Sequence, residues 1–485
     1  MSERVVVRAK NGTILMVVLG LMAALRAWFM GPMWLDNSLL ALSFSDRIGR
    51  GHGLMLAGQD VACEAFTNPA WVAFFGLMGR INLSEVDLQA PLALFGYALL
   101  AMFVFSVAKK KTSAQAAFFS VLMLGIAPVA AGVRDGSDAV WLALAFVWAA
   151  SSVENDVKTK SQGRQSAMAL GLLCCTGISG QVVAAGLALL GFRLGHKRNL
   201  TIVAAVLVVL NGIRRAVFGT WVPPVLIGPE SISAIFSWMP ALCLLSLLGL
   251  VVSWRRAQFP YIWALAVGWV SALVLGQEAG GFGVALLPAI GVMAVFVAHA
   301  MHMHRSLWFP LLMVLLVVGI DGRQGEQAVE DIRRSRLSHY LQGRGMGRFL
   351  LWRFGSDDRV VVHRPGVIGY YSRRPLIDMS GRLGGGVTPE QALQENPVAV
   401  LPVRSIVSQK AQRVEMPESW PDQLEQRYKQ YAIQHQKPWK MVDVDPVWFH
   451  IYIRKDLPML RADIPASNGN ILPPEPLPDL TKGNP

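Results

Sequence analysis

The stretch that decides the class of fold is Gly12–Met30, GTILMVVLGLMAALRAWFM. A helix needs about 20 mostly apolar residues to cross a bilayer, and this run carries a single charged side chain, Arg26. Arg4, Arg8 and Lys10 precede the run, which lacks a clear small-residue cleavage site. The run is therefore predicted to be an uncleaved signal-anchor helix whose N-terminus stays in the cytoplasm.

The composition extends this conclusion to most of the chain. Of its 485 residues, 53% are hydrophobic and 16% are charged, whereas soluble domains average about 25% charged residues. The mean hydropathy is +0.40. The net charge of +13 does not indicate nucleic-acid binding, because lysine and arginine form short clusters between apolar runs. The four cysteines form no disulfide framework, since three of them lie inside apolar runs. The chain is predicted to be an integral membrane protein.

Eleven apolar runs fit membrane-spanning helices, although several are short. They cover residues 12–30, 89–108, 113–131, 137–152, 166–178, 180–193, 200–213, 233–253, 258–275, 281–302 and 307–320. Residues 166–193 fit either one long helix or two half-length ones, and residues 69–78 fit a helix at the outer interface. Every strong basic cluster between helices, such as Lys109–Lys111, falls on the cytoplasmic side, except Arg214-Arg215. The odd number of helices places the C-terminus outside.

The composition becomes charged and mixed from Asp321 onward. Residues 1–320 are therefore predicted to form the membrane domain, and residues 321–463 are long enough for one soluble α/β domain outside the membrane. The predicted elements of this domain are strands at 359–362 and 447–453, a turn leading into another strand at 366–371, and helices at 389–395 and 417–435. The proline-rich residues 464–485 are predicted to be disordered.

The first outer loop, residues 31–68, holds several of the residues that suggest chemistry. Asp36 follows the first helix at the membrane face, where a carboxylate is costly unless it is used or solvated. From Asp36 alone, an ordinary solvated acid is the simpler interpretation. The loop continues with Gly51-His52-Gly53-Leu54, then Glu64, then Thr67-Asn68-Pro69-Ala70-Trp71.

In order and spacing, these motifs resemble the first loop of GT-C glycosyltransferases, specifically the terminal arabinofuranosyltransferase group. That group carries an Asp-Asp pair after helix one, then Gly-His-Gly-Leu, a Glu and Thr-Ser/Asn-Pro-x-Trp. Further segments are similar over nearly the whole chain: Asp135–Asp138, Arg214–Pro223, Gly276–Glu278 with Leu286–Pro288, and Gly366–Ser372 with Asp378 and Gly381. The resemblance implies a polytopic α-helical, GT-C-like membrane protein with about eleven transmembrane helices and a C-terminal soluble α/β domain.

The resemblance also implies an activity. Such an enzyme transfers a hexosyl or pentosyl unit, with a pentofuranose as one option, with inversion from a polyprenyl-phosphate donor to a cell-envelope glycan. The expected location is the outer face of the bacterial inner membrane, and the expected partners are the donor lipid, the glycan and the bilayer, with no nucleic acid. Asp36 is the expected base that takes the proton from the acceptor hydroxyl. The residues expected to bind substrate are Glu64, Asp138, Glu278, Arg134, Arg214, Arg215, His52, Tyr371 and Asp378, with the arginines holding the leaving phosphate.

Four positions depart from the pattern of that group. Asn37 replaces the second acid, and Ser43, Gly177 and Val284 stand where arginine is usual. Because a hard cation needs several oxygen ligands, no residue is assigned as a metal ligand, and a divalent cation is the only cofactor left open. The alternative hypothesis is a catalytically degenerate relative that binds glycan or lipid, or acts as a scaffold. A transporter ranks third, because neither polar residues at mid-membrane depth nor repeated halves are evident.

Overall fold

The computed structural model describes most of the chain. The described residues are 3–31, 34, 36–54, 68–81, 83, 85–134, 136, 138–159, 163–193, 195–219, 240–254, 260–266, 282–302, 308–363, 365–379, 387–401, 404–408, 411–415, 420, 424, 426–435 and 447–457. The fold divides into two compact units, residues 1–35 with 66–333 and residues 36–65 with 334–485. The predicted domain boundaries at 320/321 and 463/464 stay predictions.

The described residues are mostly helical. The helices are α1 Glu3–Met30, α2 Asp36–Gly49, α3 Pro69–Arg80, α4 Glu85–Lys111, α5 Ala114–Leu122, α6 Ala127–Val133, α7 Ala139–Thr159, α8 Arg164–Cys174, α9 Ile178–Arg193, α10 Lys197–Phe218, α11 Pro240–Trp254, α12 Phe282–Met301, α13 Trp308–Val317, α14 Arg323–Arg353, α15 Pro365–Ser372 and α16 Pro389–Gln394. A 3-10 turn, Met123–Gly125, links α5 to α6, and a π-helical turn, Val318–Gly322, joins α13 to α14.

The apolar helices of the first unit make this a membrane protein. Three segments are long and apolar enough to cross a bilayer by length and composition: Thr13–Met30, Val86–Lys111 and Lys197–Phe218. Shorter apolar helices pack beside them, and the central faces of α4, α7 and α12 are buried among one another. The number of eleven spans stays a prediction, and so do the cytoplasmic N-terminus and the outer C-terminus.

The region 166–193 forms two helices rather than one, which decides between the two interpretations of this stretch. Helix α8 ends at Cys174, and Gly177 has φ +101, a value that L side chains rarely adopt. Gly180 then returns so close to α8 that an added Cβ would lie 2.2 Å from the Leu173 carbonyl oxygen. Glycine at these two positions lets α9 turn back and pack against α8.

Asp321, at the point where the composition changes, is buried inside the first unit. Its carboxylate accepts hydrogen bonds from the backbone N–H groups of Ala241 and Leu242, at 2.9 and 2.8 Å. These N–H groups belong to the first turn of α11, which has no intrahelical acceptor for them. The acid therefore caps a helix 80 residues earlier in the chain, and its negative charge lies at the positive end of that helix.

A mixed five-stranded sheet lies in the second unit. The strands are β1 Val360–Val362, β2 Leu376–Asp378, β3 Ala399–Val400, β4 Arg404–Ser408, β5 Ala411–Glu415, β6 Tyr428–His435 and β7 Val447–Arg454. Their order is β2-β1-β3-β7-β6, and β4 and β5 form a separate antiparallel pair. β1 runs parallel to β2 and β3, whereas β7 runs antiparallel to β3 and β6. The strands predicted at 359–362 and 447–453 and the helix at 389–395 are confirmed.

Two predicted elements of this unit are wrong. Residues 366–371 lie in helix α15, not in a turn and strand, because β1 and β2 are parallel and need a crossover connection. Residues 428–435, predicted as helix, form strand β6, which pairs with β7 along its whole length. Local helix propensity is weak there compared with that pairing.

Candidate functional site

A first group of predicted site residues lies where α3 and α7 begin. Asn68 precedes α3, and its side-chain oxygen accepts a hydrogen bond from the Trp71 N–H at 3.1 Å, as an N-cap residue does. Its amide nitrogen donates to the carboxylate of Asp138, whose own carbonyl accepts from the N–H of Leu142 at the start of α7. Asp138 is therefore a half-buried acid that Asn68 holds in one orientation.

Arg134 ends α6 in the same unit and is half-buried. Its Nε donates to the Gly31 carbonyl at 3.2 Å, and its guanidinium lies 5.6 Å from the ring centroid of Trp28. Its Nη1 is buried and has no acceptor within the part of the chain that the structure describes. Burial lowers the pKa of the Arg134 guanidinium, which nonetheless stays charged. A buried donor without a protein acceptor is well suited to an oxyanion ligand.

Arg214 and Arg215, at the end of α10, have different surroundings. Arg214 is 5% exposed, and its Nη1 donates to the Asn211 side-chain oxygen at 2.7 Å. Arg215 is exposed and donates to the carbonyl of Gly219, which ends the helix at φ +73. Consecutive positions on a helix point about 100° apart, so the two guanidinium groups do not act as one bidentate clamp.

The structure describes no side chain for three of the predicted acids. Asp36 is the first residue of α2, and its side chain lies outside the described part. Glu64 and Glu278 fall outside the described residues altogether. The predicted roles of these three acids stay predictions.

His52 lies in the second unit, in a turn formed by two glycines. Gly51 at φ +83 ends α2 with an N–H bond to the Ile48 carbonyl, and the His52 N–H donates to the Arg47 carbonyl at 2.9 Å. This pair of bonds is the Schellman arrangement, which needs a left-handed residue at its C′ position. The Gly-His-Gly motif therefore fixes where the chain goes after α2, and places His52 on a cavity.

That cavity, of about 200 Å³, lies between the C-terminal end of α2 and the segment from α15 to β2. Four arginines line it together with one acid: Arg47, Arg50, Arg373, Arg374 and Asp46. Tyr370 lines it as well. The packing of α2 against α15 holds its two sides together. We refer to it as the arginine cavity.

Tyr371 and Asp378 lie in the same unit as this cavity. The Tyr371 hydroxyl lies 2.7 Å from the Tyr340 hydroxyl, and burial raises the Tyr371 pKa. Asp378 ends β2 and is 4% exposed. Burial lowers the pKa of the His363 imidazole, and the negative charge of Asp378 opposes this shift. Neither Tyr371 nor Asp378 lines the arginine cavity.

The residues missed at the level of sequence are the four arginines of the cavity and the link from Asn68 to Asp138. Arg47 and Arg50 are three residues apart at the end of a helix, a spacing that puts side chains on one face. Arg373-Arg374 directly follows the matched Tyr-Tyr-Ser motif. These two local signals were present in the sequence. That they meet at one cavity depends on the packing of α2 against α15.

The donor set does not fit a metal site in the described part of the chain. No three His, Cys, Asp or Glu side chains come together among the described residues, whereas a hard cation takes six or more oxygen ligands.

Comparison of sequences gives one match. Residues 330–453 match a family described as a domain of unknown function, DUF8728. No curated protein sequence matches the chain significantly.

Comparison of structures gives the fold. ArnT from Cupriavidus metallidurans in the apo state is 15% identical, with a TM-score of 0.54 over 92% of this chain and 98% of ArnT. The Archaeoglobus fulgidus oligosaccharyltransferase, tethered to an acceptor peptide, is 12% identical, with a TM-score of 0.51 over 80% of this chain and 68% of that one. ArnT bound to undecaprenyl phosphate is 14% identical, with a TM-score of 0.48 over 76% of this chain and 86% of that one. The chain shares the fold of apo ArnT and of the oligosaccharyltransferase, which is the GT-C glycosyltransferase fold.

Proposed function

We propose that the protein is a membrane glycosyltransferase that moves a sugar from a polyprenyl-phosphate donor to a glycan of the bacterial cell envelope. The observation that carries the proposal is the shared fold with ArnT, which covers 92% of this chain and 98% of ArnT. ArnT itself has been crystallised with undecaprenyl phosphate. The sequence motifs resemble those of the terminal arabinofuranosyltransferase group, which favours a pentofuranose as the transferred sugar.

In this proposal the reaction is a single inverting displacement. The acceptor hydroxyl attacks the anomeric carbon, and its proton passes to the Asp36 carboxylate as the new glycosidic bond forms. The bond from the anomeric carbon to the phosphate oxygen breaks, and polyprenyl phosphate leaves with the electron pair. General base catalysis of this kind contributes about 10²–10⁴-fold to the rate.

Arg134 is the best-supported phosphate ligand of the proposed site. Its stacking on Trp28 and its bond to Gly31 hold the guanidinium in place, while the buried Nη1 has no acceptor among the described residues. A preorganised cation gains most from charge that develops on the leaving phosphate. Arg214 and Arg215 are proposed as weaker phosphate contacts, because each already donates to a protein oxygen.

The remaining predicted residues are proposed to hold the sugar and the acceptor. Asp138 is oriented by Asn68 and half-buried, which suits a hydrogen bond to a sugar hydroxyl. Glu64, Glu278, His52, Tyr371 and Asp378 are retained as proposed contacts on the strength of the sequence resemblance. The outer face of the inner membrane remains the proposed location.

The test uses the purified full-length protein in lipid vesicles with synthetic polyprenyl-phosphoryl pentofuranose and cell-envelope glycan. Mass spectrometry follows the release of polyprenyl phosphate. We expect Asp36→Asn to slow transfer by about 10²–10⁴-fold without changing the melting temperature. We expect Arg134→Gln to weaken donor binding, whereas Arg80→Gln, which removes an exposed arginine at the end of α3, leaves transfer unchanged.

Two outcomes contradict the proposal. Transfer that is undiminished in Asp36→Asn would remove that acid from the chemistry. If the wild-type protein transfers no sugar, and only bulk phospholipid co-purifies after feeding with lipid-linked sugars, the degenerate, non-enzymatic relative becomes the better interpretation. Asn37, which replaces the second acid, is the sequence feature that favours that alternative.

A further inference from the structure

The arginine cavity contains more positive charge than its own acid can balance. Asp46 accepts from the Arg50 Nε at 2.9 Å, and its other oxygen lies 4.0 Å from the Arg373 Nε. Arg374 donates to the backbone carbonyls of Leu350 and Leu351. Asp46 is the one acid among the residues that line this cavity of about 200 Å³, beside four arginines, and of these Arg374 also feels the charges of Asp357 and Asp358. An anion that entered this space would remove the mutual repulsion of the arginines.

Arg47 has an unused donor at this cavity. Its Nε is buried and has no hydrogen-bond acceptor among the residues that the structure covers. Asp46, the acid of the cavity, accepts from Arg50 instead. Buried donors are normally paired, so each exception needs an explanation. A ligand oxygen in the cavity supplies the missing acceptor.

Arg373, which lines the cavity, holds an unusual backbone conformation. Its φ is +53, in the left-handed region that glycine adopts without strain. The residue directly follows α15, and its N–H caps that helix through the Gly369 carbonyl at 3.1 Å. Glycine is the usual residue at such a helix end. Strain of this kind tends to occur at functional sites, and here it places a guanidinium beside Asp46 in the cavity.

The cavity lies far from the proposed base. Arg47 follows Asp36 by eleven residues along the single helix α2, which separates the two positions by roughly 16 Å at about 1.5 Å per residue. A phosphate that leaves the anomeric carbon next to Asp36 cannot occupy the cavity at the same time. An anion in the cavity would therefore be a different group from that leaving phosphate.

We propose that the arginine cavity binds a phosphate group carried by the acceptor glycan, roughly 16 Å along α2 from the hydroxyl that receives the sugar. The residues of the cavity by themselves support the binding of phosphate. The assignment of that phosphate to the acceptor glycan, in contrast, rests on the proposed function. Phosphate fits the four arginines of the cavity better than carboxylate does, because a tetrahedral dianion offers acceptors to several guanidinium groups at once.

The first experiment measures binding by isothermal titration of the full-length protein in detergent at constant ionic strength. Inorganic phosphate and glucose 6-phosphate are expected to bind, and neutral glucose is not. Arg47→Gln and Arg373→Gly are each expected to weaken phosphate binding about tenfold or more. Arg373→Gly should fold at least as well as the wild type, because glycine tolerates the φ of +53.

The matched control is Arg359→Gln, which removes the same charge from an exposed pair with Glu395 in the same unit. It is expected to leave phosphate binding unchanged. Equal phosphate affinity of the wild type and Arg373→Gly would overturn the proposal, and so would tighter binding of glucuronate than of glucose 6-phosphate.

A second experiment separates the possible sources of the phosphate and the two proposals from each other. Short-chain polyprenyl phosphate is expected not to displace glucose 6-phosphate, and its displacement would overturn the assignment to the acceptor. Asp36→Asn is expected to bind phosphate as the wild type does. If the wild type shows no transfer but its phosphate binding depends on Arg47 and Arg373, the proposed function fails and the phosphate cavity stands.

Discussion

The amide of Asn68 donates a hydrogen bond to the carboxylate of Asp138, 70 residues further along the chain. Asn68 also caps α3 through its side-chain oxygen, so one side chain fixes the start of a helix and the orientation of a half-buried acid. This double role makes the two contributions separable by substitution.

Replacement of Asn68 is expected to affect stability in two steps. Asn68→Ala loses the cap, at about 1 kcal/mol, and leaves the half-buried Asp138 carboxylate without the Asn68 donor, at about 1 kcal/mol more. Asn68→Ser keeps the cap but is too short to reach Asp138. Thermal melting of the purified protein should rank wild type above Asn68→Ser, and Asn68→Ser above Asn68→Ala. Identical melting of the two variants would show that the contact to Asp138 contributes nothing.

Substitution of Gly51, in the turn after α2, should lower stability through backbone strain alone. Gly51 has φ +83, and an added Cβ would meet no described atom within 4 Å. Gly51→Ala is therefore expected to lose about 1–2 kcal/mol through the left-handed conformation rather than through a clash. Gly51→Asn should lose less, because asparagine tolerates that region. Equal losses in the two variants, measured by chemical unfolding, would argue against this cause.

Two glycines in apolar helices of the first unit should respond in opposite directions to the same substitution. A Cβ on Gly249 of α11 would lie 1.9 Å from the Phe296 carbonyl oxygen of α12, whereas one on Gly212 of α10 meets no described atom within 4 Å. Gly249→Ala is expected to destabilise by about 1–3 kcal/mol or more, since backbone cannot move aside cheaply. Gly212→Ala should stabilise by about 1 kcal/mol. Melting temperatures in detergent test both, and a neutral Gly249→Ala would disprove the close approach.

Stability of the second unit should fall in acid because of His363. Burial lowers the pKa of this imidazole, although the charge of Asp378 opposes the shift. The unfolded chain therefore binds the proton more readily, so the contribution of His363 is complete above about pH 6.5 and is lost as the pH falls below that value. The melting temperature of His363→Gln should depend less on pH between 7.5 and 5 than that of the wild type. The difference corresponds to the uptake of at most about one proton on unfolding. Parallel curves for the two proteins would contradict the assignment.

Part of the fold could be predicted from the sequence because its causes are local. The run Gly12–Met30 is long and apolar, and it forms the greater part of α1. Val360–Val362 is a β-branched run that forms a fully buried strand. The order of the first-loop motifs resembled GT-C glycosyltransferases, and the fold agrees. Each of these inferences depends on residues that are close in the chain.

The tertiary structure decided what depends on distant partners. Residues 428–435 became a strand because β7 pairs with them, and Asp138 received its orientation from Asn68. Arg47 and Arg373 lie more than 300 positions apart, and they meet only because α2 packs against α15. Local propensity amounts to a few tenths of a kcal/mol per residue, so pairing and packing over long separations override it. The sequence by itself therefore determined that the chain carries long apolar helices and resembles GT-C glycosyltransferases, and only the packing of distant segments determined the arginine cavity.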